Sequence, residues 1–281
     1  MKKYTNYDLY NNNTMRLHCI ADCVYVPESE FELIELLKNL KNDGISYRLL
    51  GGGSNVILPP NIHKSIILLC DVNKEIEFHD EFVKVGASVR IQTLIRSLQK
   101  HSLGGIENMF SIPCMLGGAI YMNAGRGKLH KKSISNHIVS VRAANLSNME
   151  IEELTNEKCA FSYRKSVFQE GNYVILSAKM KFDNKSESDI ENAIQERIKT
   201  SKEKLDAKKP SCGSIFSTSS YRIMKMIKGF RVGGACWSSK TNNWISNDLQ
   251  GSYNNIINLI RVAKILHKIT FQPCRLEVEV W

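Results

Sequence analysis

Three consecutive glycines, Gly51-Gly52-Gly53, follow directly on a strand-like run over residues 46–50 and lead into Ser54-Asn55. Such a chain can turn sharply at the end of the strand, because glycine reaches positive φ without steric cost. The preceding segment supports this. Residues 23–27 read as a short strand closed by proline. Ser29 then opens an amphipathic helix with Phe31, Leu33, Ile34, Leu36, Leu37 and Leu40 on its apolar face, ended by Gly44. The order is β-α-β running into a glycine loop. Backbone N–H groups in such a loop can form an anion-binding concavity, to which Ser54 and Asn55 add side-chain donors. No Gly-Lys-Ser/Thr follows, and the spacing is not G-x-G-x-x-G. On these residues alone a phosphate cradle and a plain glycine turn stand level.

Beyond the loop, patterning predicts strands over 65–69, 75–78 and 82–85 and a second amphipathic helix over 91–101. Residues 104–127 are rich in glycine and small side chains. Strands follow around 138–141 and 174–182, and a long charged helix over 185–207. The last part holds a glycine turn at Gly233-Gly234, a strand near 244–246, a helix over 253–267 and a final strand over 276–280. Strict alternation in that final strand would put Glu277 and Glu279 on one face. A chain of 281 residues has the length of about two domains.

Composition removes several classes. Hydrophobic residues make up 43% and charged residues 23%, which excludes a disordered or collagen-like chain. No apolar run is long enough to span a bilayer, and Lys2-Lys3 lead into no apolar stretch, so a cytoplasmic protein is expected. The eight cysteines are scattered and form no C-x-x-C pair, which predicts reduced thiols and no metal site. The net charge is +10. Lysine and arginine are nevertheless spread along the whole chain, and the densest cluster, 202–209, is interrupted by Glu203 and Asp206. A solvated helix face is expected there, and no nucleic-acid module is visible.

Two further signals could carry chemistry. Residues 111–125 are small enough to let backbone approach a flat ligand, but taken alone they suit a tight helix–sheet contact better. The other signal is dispersed: Tyr163-Arg164, a small-residue turn Cys212-Gly213-Ser214, and Glu277-Val278-Glu279. Taken singly, each of these reads as exposed surface.

Taken in order, these segments resemble one family. Residues 51–56, 85–88, 105–107, 112–125, 163–168, 210–216, 229–235 and 276–280 are together similar to the UDP-N-acetylenolpyruvoylglucosamine reductase (MurB) family, compact type, from residue 14 to residue 279. The resemblance implies an α+β fold. A two-part FAD-binding domain of the vanillyl-alcohol-oxidase (PCMH) type would occupy 1–182, with subdomains of about 1–65 and 66–182. A C-terminal α/β substrate-binding domain would occupy 183–281, its last strand carrying Glu279. Noncovalent FAD is implied at Gly51, Gly52, Gly53, Ser54, Asn55, Ile112, Pro113, Gly117, Gly118, Ala119, Asn123, Ala124 and Gly125. NADPH is implied as hydride donor and a UDP-sugar as substrate. Arg164, Ser214 and Glu279 are implied as catalytic residues. Arg164 and a protonated Glu279 would stabilise enolate-like charge, and Ser214 would donate a proton. Tyr163 and Lys204 would bind substrate. A monomer with no nucleic-acid or membrane partner is expected.

The chain departs from the family pattern at three places. Ser111-Ile112-Pro113-Cys114 stands where the family shows Gly-Ile-Pro-Gly. Ser217-Thr218-Ser219 replaces a stretch with Lys or Arg, then Asn or Arg, then Pro. Thr241-Asn242-Asn243 replaces His-Ala-Gly. These leave two alternatives open: a flavin reductase of the same fold acting on another nucleotide-sugar, or a non-catalytic flavin- or nucleotide-binding module.

Overall fold

Ser29 caps the first helix, α1 (Glu30–Asn42), its hydroxyl accepting the Glu32 amide at 3.2 Å, and Gly44 leaves the helix at φ +66°. Leu33, Leu36, Leu37 and Leu40 recur at the spacing of one helix face, and all four are buried. They pack on Ile67 of one sheet and on Val174 and Leu176 of another. An ion pair of Glu30 with Arg142, at 2.5 Å, ties the start of α1 to the second sheet.

A computed structural model describes residues 1–126, 132–206 and 208–281 of the chain. It divides into two units. The first comprises Met1–Tyr4, Val24–Gly52 and Lys64–Ile198; the second comprises Thr5–Cys23, Gly53–His63 and Lys199–Trp281.

In the first unit the strand Ser65–Leu68 lies between two parallel neighbours. It pairs with Val24 and Tyr25 on one side and with Tyr47–Leu50 on the other. An antiparallel sheet follows, in the order Ile151–Thr155, Ile138–Asn145, Tyr173–Met180, Val83–Gly86, Ile76–Phe78. Helix α2 (Ile91–Lys100) buries Ile91, Leu94, Ile95 and Leu98 in the core under this sheet. The short helix α3 (Leu116–Tyr121) and Ile190 and Ile194 of α4 (Glu187–Lys204) fill the same core. The helix expected over 185–207 is thus present, and Ala207 lies outside the described residues.

The second unit folds around Trp237, Phe216, Ile256 and Leu259. Gly233, at φ +53°, turns the chain between Arg231–Val232 and Ala235–Trp237, and Ile245–Ser246 completes this small sheet. Helix α5 (Tyr221–Met226) packs with α6 (Tyr253–Ile269), whose start is closed by a reciprocal Ser252–Asn255 cap. His267 is fully buried between them. Its Nε2 accepts the Ser220 amide at 2.9 Å, so the ring hydrogen sits on Nδ1 and faces the Ala263 carbonyl at 2.7 Å.

The expected single strand over 276–280 is two strands. Arg275–Leu276 runs antiparallel to Phe216–Thr218, and Glu279–Val280 runs parallel to Val56–Ile57. The amides of Glu277 and Val278 both donate to the Ile215 carbonyl, at 2.8 and 3.4 Å. That shared acceptor marks the point where the chain changes partner, so simple alternation does not carry from Glu277 to Glu279. Helices and largely antiparallel sheets together make the fold α+β, as expected.

Candidate active site

In the first unit the strand Tyr47–Leu50 delivers Gly51 and Gly52 beside the 111–118 loop. A side chain at Gly52 would lie 3.6 Å from the Pro113 carbonyl and 3.9 Å from the Cys114 Cα. A methyl at Gly51 or at Gly118 would meet nothing within 4 Å, and neither residue has a positive φ. Protein packing and backbone conformation therefore leave these two glycines unexplained, whereas a ligand lying against the backbone explains them. The Ser111 hydroxyl on the same loop is buried and has no protein partner among the described residues. Ser111 and Cys114 both have φ outside the left-handed region, so they replace glycine without strain. Pro113 is exposed and Ile112 half-buried, its carbonyl held by the Gln92 side chain at 2.7 Å. The Gly117 amide is bonded to the Ala87 carbonyl at 2.8 Å, and Ala119 is buried in the core.

The 121–125 segment is braced by hydrogen bonds to its neighbours. Asn123 is buried at φ +40°; its side chain donates to the Ser162 carbonyl at 2.8 Å and accepts the Ser135 amide at 3.3 Å. The Ala124 amide returns to the Ala119 carbonyl at 2.7 Å. Gly125 has no space for a side chain, since a Cβ would meet the Lys132 carbonyl at 2.2 Å.

Tyr163 and Arg164 form the tip of a tight turn in which Ser162 and Lys165 exchange both backbone hydrogen bonds at 3.1 Å. Arg164 takes φ +57° there. Its guanidinium donates to the Asn123 carbonyl at 3.3 Å and to the Gly125 carbonyl at 2.7 Å, and lies 5.1 Å from the centre of the Tyr163 ring. Gln169 holds the turn by donating to both the Arg164 and Tyr121 carbonyls at 3.0 Å. The structure thus places Arg164, Tyr163 and the 123–125 segment together.

In the second unit Gly53 has φ +60°, and a Cβ there would meet the Asn12 carbonyl at 1.9 Å. Ser54 is half-buried beside it. Asn55 accepts the Glu279 amide on its carbonyl at 3.0 Å and donates from its side chain to the Glu277 carbonyl at 3.2 Å. Glu279 itself is half-buried.

Ser214 is exposed, after Gly213 at φ +81°, and bridges to Trp244. Asn243 fixes the segment that follows: its carbonyl accepts the Ile215 amide at 3.1 Å, while its side chain accepts the Phe216 amide at 2.9 Å and donates to the Phe216 carbonyl at 2.7 Å. Sequence reasoning gave Asn243 no role. Its signal was an asparagine where the resemblance has glycine, and its φ of +61° is one that asparagine tolerates. Lys204 sits exposed at the end of α4, and its carbonyl accepts the Thr241 hydroxyl.

Two cysteines border these segments. Burial pushes the thiols of Cys114 and Cys212 up to about 12. Like the other six cysteines, they are free.

Comparisons with known families, proteins and structures agree. Residues 21–155 match the FAD binding domain family. The chain is 32% identical to the UDP-N-acetylenolpyruvoylglucosamine reductase of Prochlorococcus marinus, covering 93% of this chain and 91% of that protein. It is 30% identical to the protein of the same name from Bacillus subtilis, covering 99% and 94%. The crystal structure of UDP-N-acetylenolpyruvylglucosamine reductase (MurB) from Thermus caldophilus has the same fold, with a TM-score of 0.80 at 24% identity over 100% of this chain and 98% of that one. The open space beside Gly51 and Gly118, together with the unpartnered Ser111 hydroxyl, fits an FAD laid along the two loops.

Proposed function

The chain belongs to the UDP-N-acetylenolpyruvoylglucosamine reductase family, and on that premise we propose that it reduces the enolpyruvyl ether of UDP-N-acetylglucosamine enolpyruvate to UDP-N-acetylmuramate, for peptidoglycan precursor synthesis. It is an oxidoreductase with a FAD-binding domain. When bound, FAD supplies the hydride chemistry, with NADPH as the source of electrons. The 51–52 and 112–118 loops would hold it through backbone. Gly53, Ser54, Asn55, Asn123, Ala124 and Gly125 are the further residues that the family resemblance assigns to it.

The remaining work falls to the chain's own side chains. Hydride arriving at the terminal alkene carbon drives negative charge onto the neighbouring carbon and its carboxylate. Arg164 stabilises that charge as a fixed cationic donor, and Glu279 is the second residue assigned to it. Ser214 gives its proton to the charged carbon, completing the addition of one hydride and one proton across the double bond. Tyr163 frames the carboxylate, and Lys204 holds the nucleotide-sugar.

The observation that carries this reading is Ser214. It is an exposed hydroxyl on a turn whose next two residues are pinned on both sides, by Asn243 and by Glu277. A weak acid becomes useful only when its geometry is fixed. The test is NADPH consumption by FAD-loaded protein with and without UDP-N-acetylglucosamine enolpyruvate. Substrate-dependent consumption should fall by about a hundredfold or more in Ser214→Ala, with flavin content unchanged. A wild-type protein that binds flavin and gains nothing from the substrate would refute the reading.

A further inference from the structure

Basic residues are spread along the chain, but acidic ones are not. Residues 208–276 contain eleven lysines and arginines and a single acid, Asp248. The rest of the chain has 27 of each and is neutral, so the net charge of +10 resides entirely in this stretch. The lone acid is already neutralised, forked by Arg231 and bonded to Lys209 at 2.9 Å.

Helix α6 concentrates the effect. One face carries Ile256, Leu259, Ile260, Ala263 and His267 into the core. The opposite face shows Arg261, Lys264, Ile265, Lys268 and Ile269, spaced i, i+3, i+4, i+7 and i+8, so they form one outward stripe. Ile265 is 55% exposed, Ile269 66%, and Phe271, just past the helix end, 95%. An outward stripe of cations beside three bare apolar side chains is an unusual surface for water alone to cover.

We propose that this end of α6 docks on an anionic phospholipid surface, with Ile265, Ile269 and Phe271 entering the headgroup boundary and Arg261, Lys264 and Lys268 lying against the lipid phosphates. The pairing of cations with protruding apolar groups on one helical stripe is what such a surface selects. Two other occupants fit less well. Nucleic acid would use the cations but leave Phe271 and the isoleucines without a partner. A second copy would bring three cations against three cations. No helix among the described residues is long and apolar enough to cross a membrane, so the contact would be peripheral.

The experiment is co-sedimentation of the FAD-loaded protein with phosphatidylglycerol vesicles and with phosphatidylcholine vesicles, in low and high salt. Binding to phosphatidylglycerol is expected to exceed binding to phosphatidylcholine by at least about tenfold and to weaken with salt. Lys264→Glu with Lys268→Glu should reduce it by about 25-fold or more, since each cation near the surface contributes about fivefold. Ile269→Ser with Phe271→Ser should reduce it about tenfold at unchanged net charge. Because all four side chains are exposed, thermal midpoints should match the wild type. The proposal is overturned by equal binding to both lipids, by vesicle binding that the Ile269/Phe271 variant leaves intact, by binding to duplex DNA in place of vesicles, or by a dimer in solution that buries Phe271.

Discussion

Asn55 grips the strand of Glu279 at two points, accepting the Glu279 amide at 3.0 Å and donating from its own side chain to the Glu277 carbonyl at 3.2 Å. Only the second bond needs the side chain. Asn55→Ala should leave the Glu277 carbonyl short of a partner, at a cost of about 1–3 kcal/mol, and let Glu279 drift. Turnover of the UDP-sugar should drop by about tenfold or more, since small misplacements at a reacting centre have large effects. Paired measurements of kcat and thermal midpoint check this; a variant with wild-type values of both would show that the backbone bond suffices.

Neighbouring glycines should respond in opposite ways to the same change. Gly53→Ala forces a Cβ into the Asn12 carbonyl at a positive φ and should destabilise the protein by about 3 kcal/mol or more. Gly51→Ala meets nothing in the protein. Its flavin-free form should melt within about a degree of wild type, while its affinity for FAD falls by at least about tenfold. Thermal melts with flavin titration separate the two. Undiminished FAD affinity in Gly51→Ala would place the flavin elsewhere.

Asp248 should contribute to acid sensitivity. Hydrogen bonds from Arg231, and then from Lys209, hold its carboxyl at about 2, against the ordinary aspartate value of about 4. A carboxyl depressed on folding contributes stability that is fully present above the unfolded value and is lost as pH falls towards the folded one. The window is therefore about pH 5 to pH 2. The thermal midpoint should decline more steeply across that window in wild type than in Asp248→Asn. Parallel curves would remove Asp248 from the account of acid unfolding.

The cysteines beside the candidate site should be inert. With the thiols of Cys114 and Cys212 pushed up to about 12 by burial, almost none is thiolate near neutrality. Native protein treated with iodoacetamide at pH 8 should carry no label at either position, and Cys212→Ala should keep its turnover. Rapid alkylation of Cys212 together with loss of activity would overturn both expectations.

Elements fixed by local rules were legible in the sequence. Ser29 capped α1, the leucines at helical spacing faced inward, and Gly233-Gly234 turned a hairpin. The glycine loops stood out because few positions need so little side chain. What escaped depended on distant partners. The strand Ile151–Thr155 lies at a sheet edge, and most of its side chains are exposed or half-exposed, so it lacked a buried alternation. The break after Leu276 arises from the Ile215 carbonyl, 61 positions earlier, which no local pattern reveals. Asn243 read as an ordinary polar residue, and Asn123 as a flavin contact implied by the resemblance; their left-handed backbones and doubly bonded side chains make both of them braces.

The bond from Asn55 to Glu277 joins residues 222 positions apart. Closing so long a loop adds little to the equilibrium cost, roughly 0.6 kcal/mol for each doubling of length, but it governs the order of events. Local helices and hairpins form early, and pairings of high sequence separation come late. The strand bearing Glu279 should therefore be among the last parts to find its place. During refolding, helical signal should return before turnover does, with a compact and catalytically silent species in the interval.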